Sequence, residues 1–186
     1  MDDSTIVELY FARDEAAIEE TDRKYGKYCS HIAYNILQSA EDAEECVNDT
    51  YMRAWNAIPP HRPAQLSTFL GKITRNLSLN KYKGRHAQKR GNGQTAMVLS
   101  ELEECIGADC RVESLVDEMA VVEVINSFLK QQPRLNRVVF VKRYWHLDSI
   151  RDISTALGMN QNRITSMLFR MRKELKLRLE SEGITL

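Results

Sequence analysis

The chain has 186 residues, with 26 basic and 26 acidic side chains, so its formal net charge at pH 7 is zero. A neutral total excludes a uniformly basic nucleic-acid-binding protein and an acidic disordered chain. With 43% hydrophobic and 28% charged residues, the composition is that of a soluble globular protein. The length allows one domain of ordinary size or two small ones.

The charges are separated along the chain into four blocks of alternating sign. Residues 1–61 contain 13 acidic and 5 basic side chains, and residues 62–94 contain 8 basic side chains and no acidic ones. Residues 95–125 contain 8 acidic side chains and one basic one, whereas residues 126–186 contain 12 basic and 5 acidic ones. Segregation of this kind predicts different partners for different surfaces.

Helical periodicity dominates the first part of the chain. Residues 4–38 are predicted to be helical because their apolar side chains recur at three- and four-residue spacing. A second helix is predicted to begin near Ser39, a good capping residue, and to end before Pro59. A third helix, capped by Ser67 or Thr68, is predicted to be rich in basic and amide side chains.

These patterns, together with few glycines and no hairpin signal, predict an all-α fold of two small helical domains joined by a flexible linker. The predicted domains are residues 1–85 and 119–186. Residues 86–118 are predicted to be an acidic flexible linker, in which the low apolar content allows at most a short helix.

A helix-turn-helix is predicted near the C-terminus. Ile150, Ile153 and Leu157 form one apolar stripe, Gly158 permits the turn, and Asn160 can cap the second helix. Amides, hydroxyls and cations on the outer face of that helix suit base edges and phosphates, so DNA binding is favoured over a solvated helical hairpin. The candidates on this face are Gln161, Asn162, Arg163, Thr165, Ser166, Arg170, Arg172 and Lys173.

The second predicted helix has an acidic face, formed by Asp42, Glu45, Asp49 and Arg53. By itself, such a face is most often simply solvated. A metal site is disfavoured because no histidine lies nearby in the sequence. The helix that follows carries basic side chains and no acidic ones, which favours a nucleic-acid partner.

The order of these motifs resembles a bacterial RNA polymerase sigma factor of the sigma-70 family, of the extracytoplasmic-function (ECF) type. The resemblance is carried by the run Tyr51-Met-Arg-Ala-Trp55, the prolines Pro59, Pro60 and Pro63, and the run Arg75-Asn76-Leu77, followed by the helix-turn-helix. It implies that residues 8–85 form region 2, which melts promoters, and that residues 119–180 form region 4.

The resemblance also implies roles for the candidate residues. Asp42, Glu45, Asp49 and Arg53 match the face that docks on the clamp helices of the polymerase β′ subunit. Phe69 and Tyr82 match surfaces on which bases stack, although packing in the core is the simpler role for Phe69. The residues expected to contact the −10 element are Arg62, Lys72, Arg75, Asn76, Asn80, Lys81 and Lys83. Those expected to approach the −35 element are Arg143, Ser166, Phe169, Arg170 and Arg172, with the other helix-turn-helix candidates beside them.

The leading hypothesis is therefore a sigma factor, a subunit without enzymatic activity, cofactor or metal. Its expected partners are core RNA polymerase through the β′ clamp helices and the β flap, promoter DNA and an anti-sigma protein. Cytoplasmic localisation without membrane insertion is expected, because no export signal or membrane-spanning run precedes the helices. The alternatives are a free-standing helix-turn-helix regulator and, less favoured, a nuclease-type enzyme that uses the acidic face.

Overall fold

The computed structural model describes the backbone of residues 1–86, 94–106 and 115–182. Within these ranges the secondary structure is α-helical, without a strand, so the predicted all-α fold is confirmed. The chain divides into two compact units, Met1–Gly91 and Asn92–Leu186. Among the described residues, no helix is both long and apolar enough to cross a bilayer.

The first unit contains four helices. They are α1 (Asp3–Phe11), α2 (Ala16–Leu37), α3 (Ala40–Ala57) and α4 (Leu66–His86). Helices α2, α3 and α4 pack on one another, and α1 packs on α2. The core combines apolar side chains from all four helices, among them Ile6, Tyr10, Val47, Ala54 and Leu70.

The prediction of one helix over residues 4–38 is wrong, because the chain forms two helices, α1 and α2, with a break between them. At the break, Arg13 adopts a left-handed conformation with φ 56°. Asp14 then accepts a hydrogen bond from the amide of Ala16 at 3.0 Å and so caps the start of α2. The apolar spacing of α1 and α2 is nearly in phase across this break, so periodicity alone does not reveal it.

The start of α3 confirms the predicted cap. Ser39 has extended backbone angles, and its hydroxyl accepts a hydrogen bond from the amide of Asp42. Helix α3 ends at Ala57, two residues before Pro59. Helix α4 begins at Leu66, slightly earlier than predicted, and Leu66 itself is buried in the core.

Two buried features hold α4 close to its neighbours. The hydroxyls of Thr50 and Thr74 lie 3.1 Å apart, which satisfies both groups within the interface between α3 and α4. Gly71 lies beneath the ring of Tyr28 on α2, and a Cβ atom at this position would stand 2.5 Å from the tyrosine hydroxyl oxygen. The absence of a side chain at Gly71 therefore permits the approach of α2 and α4.

The second unit contains α5 (Gln94–Ile106), α6 (Leu115–Gln131), α7 (Arg134–Tyr144), α8 (Ile150–Leu157) and α9 (Gln161–Ser181). Helix α9 contacts all four of the others. The predicted helix-turn-helix is present. Gly158 ends α8 in a left-handed conformation with φ 62°, and the Asn160 side chain accepts from the amide of Asn162 at 2.8 Å.

Helix α5 lies within residues 86–118, where the sequence predicted a flexible linker. Thr95 and Val98 are buried against the second unit, at helical spacing, and α5 packs on α7 and α9. The prediction underestimated this helix because its anchoring residues are few and one of them, Glu101, is charged. Helices α4 and α6 also extend into the predicted linker, since α4 includes residue 86 and α6 includes residues 115–118. Residues 87–93 and 107–114 lie outside the described residues.

Gly71→Ala is expected to destabilise the first unit by about 1–3 kcal/mol, because the new methyl group forces the Tyr28 ring to move. Gly84→Ala in the same helix is the matched control: its Cβ would meet no atom within 4 Å, so a gain of about 0.5–1 kcal/mol is expected. The measurement is denaturant unfolding followed by Trp55 fluorescence in a Trp145→Phe background. Equal effects of the two substitutions would contradict the close approach.

Candidate nucleic-acid interface

The outer face of α4 collects four of the predicted −10 residues. Lys72, Asn76, Asn80 and Lys83 are all exposed and recur at three- and four-residue spacing. Phe69 lies on the same face, partly buried and stacked on His61 with 5.2 Å between ring centroids. This face therefore combines cations, amides and an aromatic ring, the set of groups that binds single-stranded nucleic acid.

Two other −10 candidates on α4, Lys81 and Arg75, are partly buried. Lys81 Nζ lies 3.0 Å from Asp42 Oδ1 and also contacts the carboxylate of Glu45, which raises the pKa of the lysine. Arg75 is partly buried, and this burial lowers its pKa. Neither side chain belongs to the exposed face that contains Asn76.

The acidic face of α3 is smaller than the sequence predicted. Glu45, Asp49 and Arg53 are exposed, but Asp42 is only 6% exposed and acts as an internal counter-ion of Lys81. Met52, 56% exposed, lies between Asp49 and Arg53 and adds an apolar contact surface that the charge pattern did not indicate.

A groove of about 1160 Å³ lies between α2 and α3. At its wall, Tyr51 donates a hydrogen bond to Asp22 at 2.8 Å. Burial and this hydrogen bond raise the pKa of Tyr51 above its usual range. No sequence signal indicated the groove, because its lining comes from separate turns of two helices.

The outer face of α9 carries the exposed candidates for duplex DNA. Ile164, Leu168, Met171 and Leu175 are buried, so the opposite side of the helix faces solvent. The exposed candidates are Gln161, Asn162, Arg163, Thr165, Ser166, Arg170 and Lys173, and Phe169 lies among them with 60% exposure. Thr165 also donates a hydrogen bond to the carbonyl of Gln161 at 3.0 Å.

Arg143 is fully buried, unlike the other −35 candidates. Its guanidinium donates to both carboxylate oxygens of Glu101, at 2.6 and 3.2 Å, and to the carbonyl of Asp148 at 3.1 Å. Arg172 is partly buried and donates to the hydroxyl of Tyr144 at 2.7 Å, and that hydroxyl donates to Glu101 at 3.1 Å. Burial raises the pKa of Tyr144. Hydrogen bonds and ion pairs to the Glu101 carboxylate therefore connect α5 with α7 and α9.

The cysteines and the carboxylates give no sign of metal chemistry in the described part of the chain. Cys29 and Cys46 are buried free thiols whose pKa values are raised by burial. Among the described residues, no group of three or more potential ligands is arranged to hold a metal ion. The side chains of Cys105 and Cys110 lie outside the described residues.

One helical unit has a polar and basic face, and the other contains a helix-turn-helix. These are features expected of a protein that binds DNA. Residues 22–88 match the family model described as Sigma-70 region 2. Over 163 residues, 88% of this chain, the sequence is 22% identical to the ECF RNA polymerase sigma factor SigE of Mycolicibacterium smegmatis. Residues 22–88 are therefore similar to region 2 of the sigma-70 family, and most of the chain is similar to an ECF sigma factor. The match covers 60% of the length of that relative.

Glu101→Ala is expected to destabilise the second unit by about 3 kcal/mol, because it leaves the buried Arg143 without its counter-ion. Denaturant unfolding followed by Trp145 fluorescence, in a Trp55→Phe background, measures this loss. Glu180→Ala, which removes an exposed acid from α9, is the control and is expected to change stability by less than about 0.5 kcal/mol. Equal stability of the two variants would contradict the structural role of Glu101.

Proposed function

We propose that this chain is a sigma factor that directs core RNA polymerase to specific promoters. The observation that supports this best is the position of the exposed α4 face, which lies inside the segment that matches Sigma-70 region 2. The polymerase supplies the chemistry, and the sigma factor supplies recognition. The proposed site of action is the cytoplasm, where core polymerase meets the chromosome.

In this proposal, α3 docks on the β′ clamp helices through Glu45, Asp49, Met52 and Arg53. Exposed carboxylates on one helix face suit a basic helical partner and steer its approach. The exposed Met52 adds apolar area to this patch. Asp42 contributes indirectly, by holding Lys81 against α3.

Region 2 then opens the promoter at the −10 element. Lys72 and Lys83 bind phosphates of the unpaired strand, and Asn76 and Asn80 present amides to the edges of extruded bases. A base that leaves the helical stack loses its stacking energy, which the protein offsets by stacking and hydrogen bonds. Arg62, in the loop between α3 and α4, is proposed to contact the same strand.

Region 4 binds the −35 element as duplex DNA. The N-terminal part of α9 enters the major groove, where Asn162, Arg163 and Ser166 meet base edges, and Arg170 and Lys173 bind phosphates. Arg143 and Arg172 support this helix from inside the unit. Because both regions are carried by one chain, engagement of one element raises the effective concentration of the other domain at its own element.

Two further partners belong to this proposal. The β flap is proposed to bind region 4 beside α7, and an anti-sigma protein is proposed to hold the chain inactive. The name of the relative supports the general class of partner, and the anti-sigma partner rests on the family resemblance.

Transcription with purified core polymerase tests the proposed function. Fragments of genomic DNA from the source organism are transcribed with and without the full chain, and the run-off products are sequenced. Discrete start sites that depend on the chain would support a sigma factor. No dependent start site, combined with tight binding of duplex DNA without polymerase, would instead support the free-standing helix-turn-helix regulator.

Asn76→Ala is expected to impair promoter opening while core binding stays intact, because the amide is exposed and has no packing role. Permanganate reactivity of thymines in the −10 region measures opening, and a pull-down with core polymerase measures binding. Parallel loss of both properties would show that Asn76 supports the fold and does not contact DNA.

Arg170→Ala is expected to weaken promoter binding and to lower the slope of log K against log salt by about 0.9, the value for one lost phosphate contact. Arg178→Ala is the control on the same helix, because Arg178 donates to Gln131 and Ser127 of α6. Binding by the polymerase complex is measured across a salt series. An unchanged slope for the Arg170 variant would remove it from the phosphate contacts.

A further inference from the structure

The loop between α3 and α4 is held by the N-terminal helix. Arg62 in this loop donates a hydrogen bond to Glu8 of α1 at 2.6 Å. The guanidinium carbon also lies 4.3 Å from the centre of the Phe11 ring. One contact fixes the position of the guanidinium, and the other supports it against an aromatic surface.

Arg62 remains accessible in spite of both contacts. Its side chain is 54% exposed, and that of Glu8 is 60% exposed. An ion pair this exposed contributes little to folding stability, so its main effect is on where the guanidinium lies. The hydrogen bond from Arg62 and its charge lower the pKa of Glu8, which keeps the carboxylate ionised at neutral pH.

Two residues near Arg62, His61 and Arg13, also have defined contacts within the unit. His61 stacks on Phe69, with an angle of 28° between the rings. Arg13, just after α1, donates to the carbonyl of Trp55 near the end of α3 at 2.6 Å. Helix α1 and its end therefore contact both the loop and the helix before it, although they precede residue 22, where the match to region 2 begins.

We propose that Phe11 and Glu8 are positioning residues that present Arg62 as a stacking surface for an unpaired base of the melted promoter strand. Guanidinium planes are surfaces on which unpaired bases stack. Phe11 supports the guanidinium, Glu8 fixes its direction, and the base approaches from solvent. This inference rests on the proposed function, because it requires that the loop meets single-stranded promoter DNA.

A forked promoter fragment tests the inference, with the full chain bound to core polymerase. The promoter is one identified by run-off transcription, and its unpaired strand carries 2-aminopurine at one position at a time. Stacking quenches the fluorescence of this base. The wild-type chain is expected to quench it at a position that depends on Arg62, so that Arg62→Ala abolishes the quenching.

Substitutions at Phe11 separate positioning from simple packing. Phe11→Leu keeps an apolar side chain but removes the ring, and it is expected to reduce the quenching and to weaken fragment binding about two- to fivefold. Phe11→Tyr keeps the ring and is expected to behave as wild type. Glu8→Gln is expected to reduce the quenching. The control Arg13→Gln removes the hydrogen bond to the carbonyl of Trp55, which does not involve Arg62, and it is expected to preserve the quenching.

Four results would overturn the inference. The first is quenching that survives Arg62→Ala, and the second is wild-type quenching by Phe11→Leu. The third is loss of quenching by Arg13→Gln to the same extent as by Phe11→Leu. The fourth is no quenching at any position by a wild-type chain that initiates transcription. In each case transcription by the wild-type chain would still support the proposed function. Failure of the wild-type chain to initiate at any promoter would instead overturn the proposed function itself.

Discussion

The packing of α9 is the interaction on which the second unit depends. Its buried stripe includes Ile164, Leu168, Met171 and Leu175, and each of α5 to α8 packs on α9. Because a helix has about 3.6 residues per turn, this stripe determines which side chains point to solvent. The amides and cations at the start of α9 are thus presented together as a consequence of core packing. The same argument applies to α4, where burial of Leu70 and Thr74 turns Asn76 outward.

Charge has two separate uses in this chain. The cations on the outer faces of α4 and α9 have solvent around them and suit phosphates. Lys81, Arg143 and Arg172 instead have carboxylates of the same unit as partners. Removing one member of such a pair leaves a partly or fully buried charge uncompensated, which costs far more than loss of a surface contact. A substitution at Arg143 that lowers DNA binding would therefore not identify a DNA contact.

Much of the architecture was predictable, because it depends on local signals. Ser39, Gly158 and Asn160 mark helix ends through backbone chemistry that acts within a few residues. The helix-turn-helix followed from these signals. The start of the second unit did not, because the sequence predicted it at residue 119 and the structure has it at Asn92. The break at Arg13 was missed, because the apolar spacing of α1 and α2 continues across it.

The pairing of charges was not predictable from the sequence. Glu101 and Arg143 are 42 residues apart, and Lys81 and Glu45 are 36 apart, so nothing local indicates that they meet. From the sequence, Arg143, Lys81 and Glu45 were predicted to be surface groups that contact partners. Helix α5 was underestimated for the same reason. Its main polar anchor, Glu101, binds Arg143 of α7, and this contact exists only in the folded unit.

Site-specific photocrosslinking of the assembled promoter complex tests the central claim most directly. A photoreactive amino acid at Asn80 or at Lys173 reports what each outer face touches, because both side chains are exposed and belong to the proposed contact surfaces. We expect position 80 to crosslink to the unpaired −10 strand and position 173 to the −35 duplex, both only when core polymerase is present. Equally strong crosslinking of position 173 to DNA without polymerase, together with no crosslink at position 80 when polymerase is present, would show that these faces do not bind the promoter as proposed.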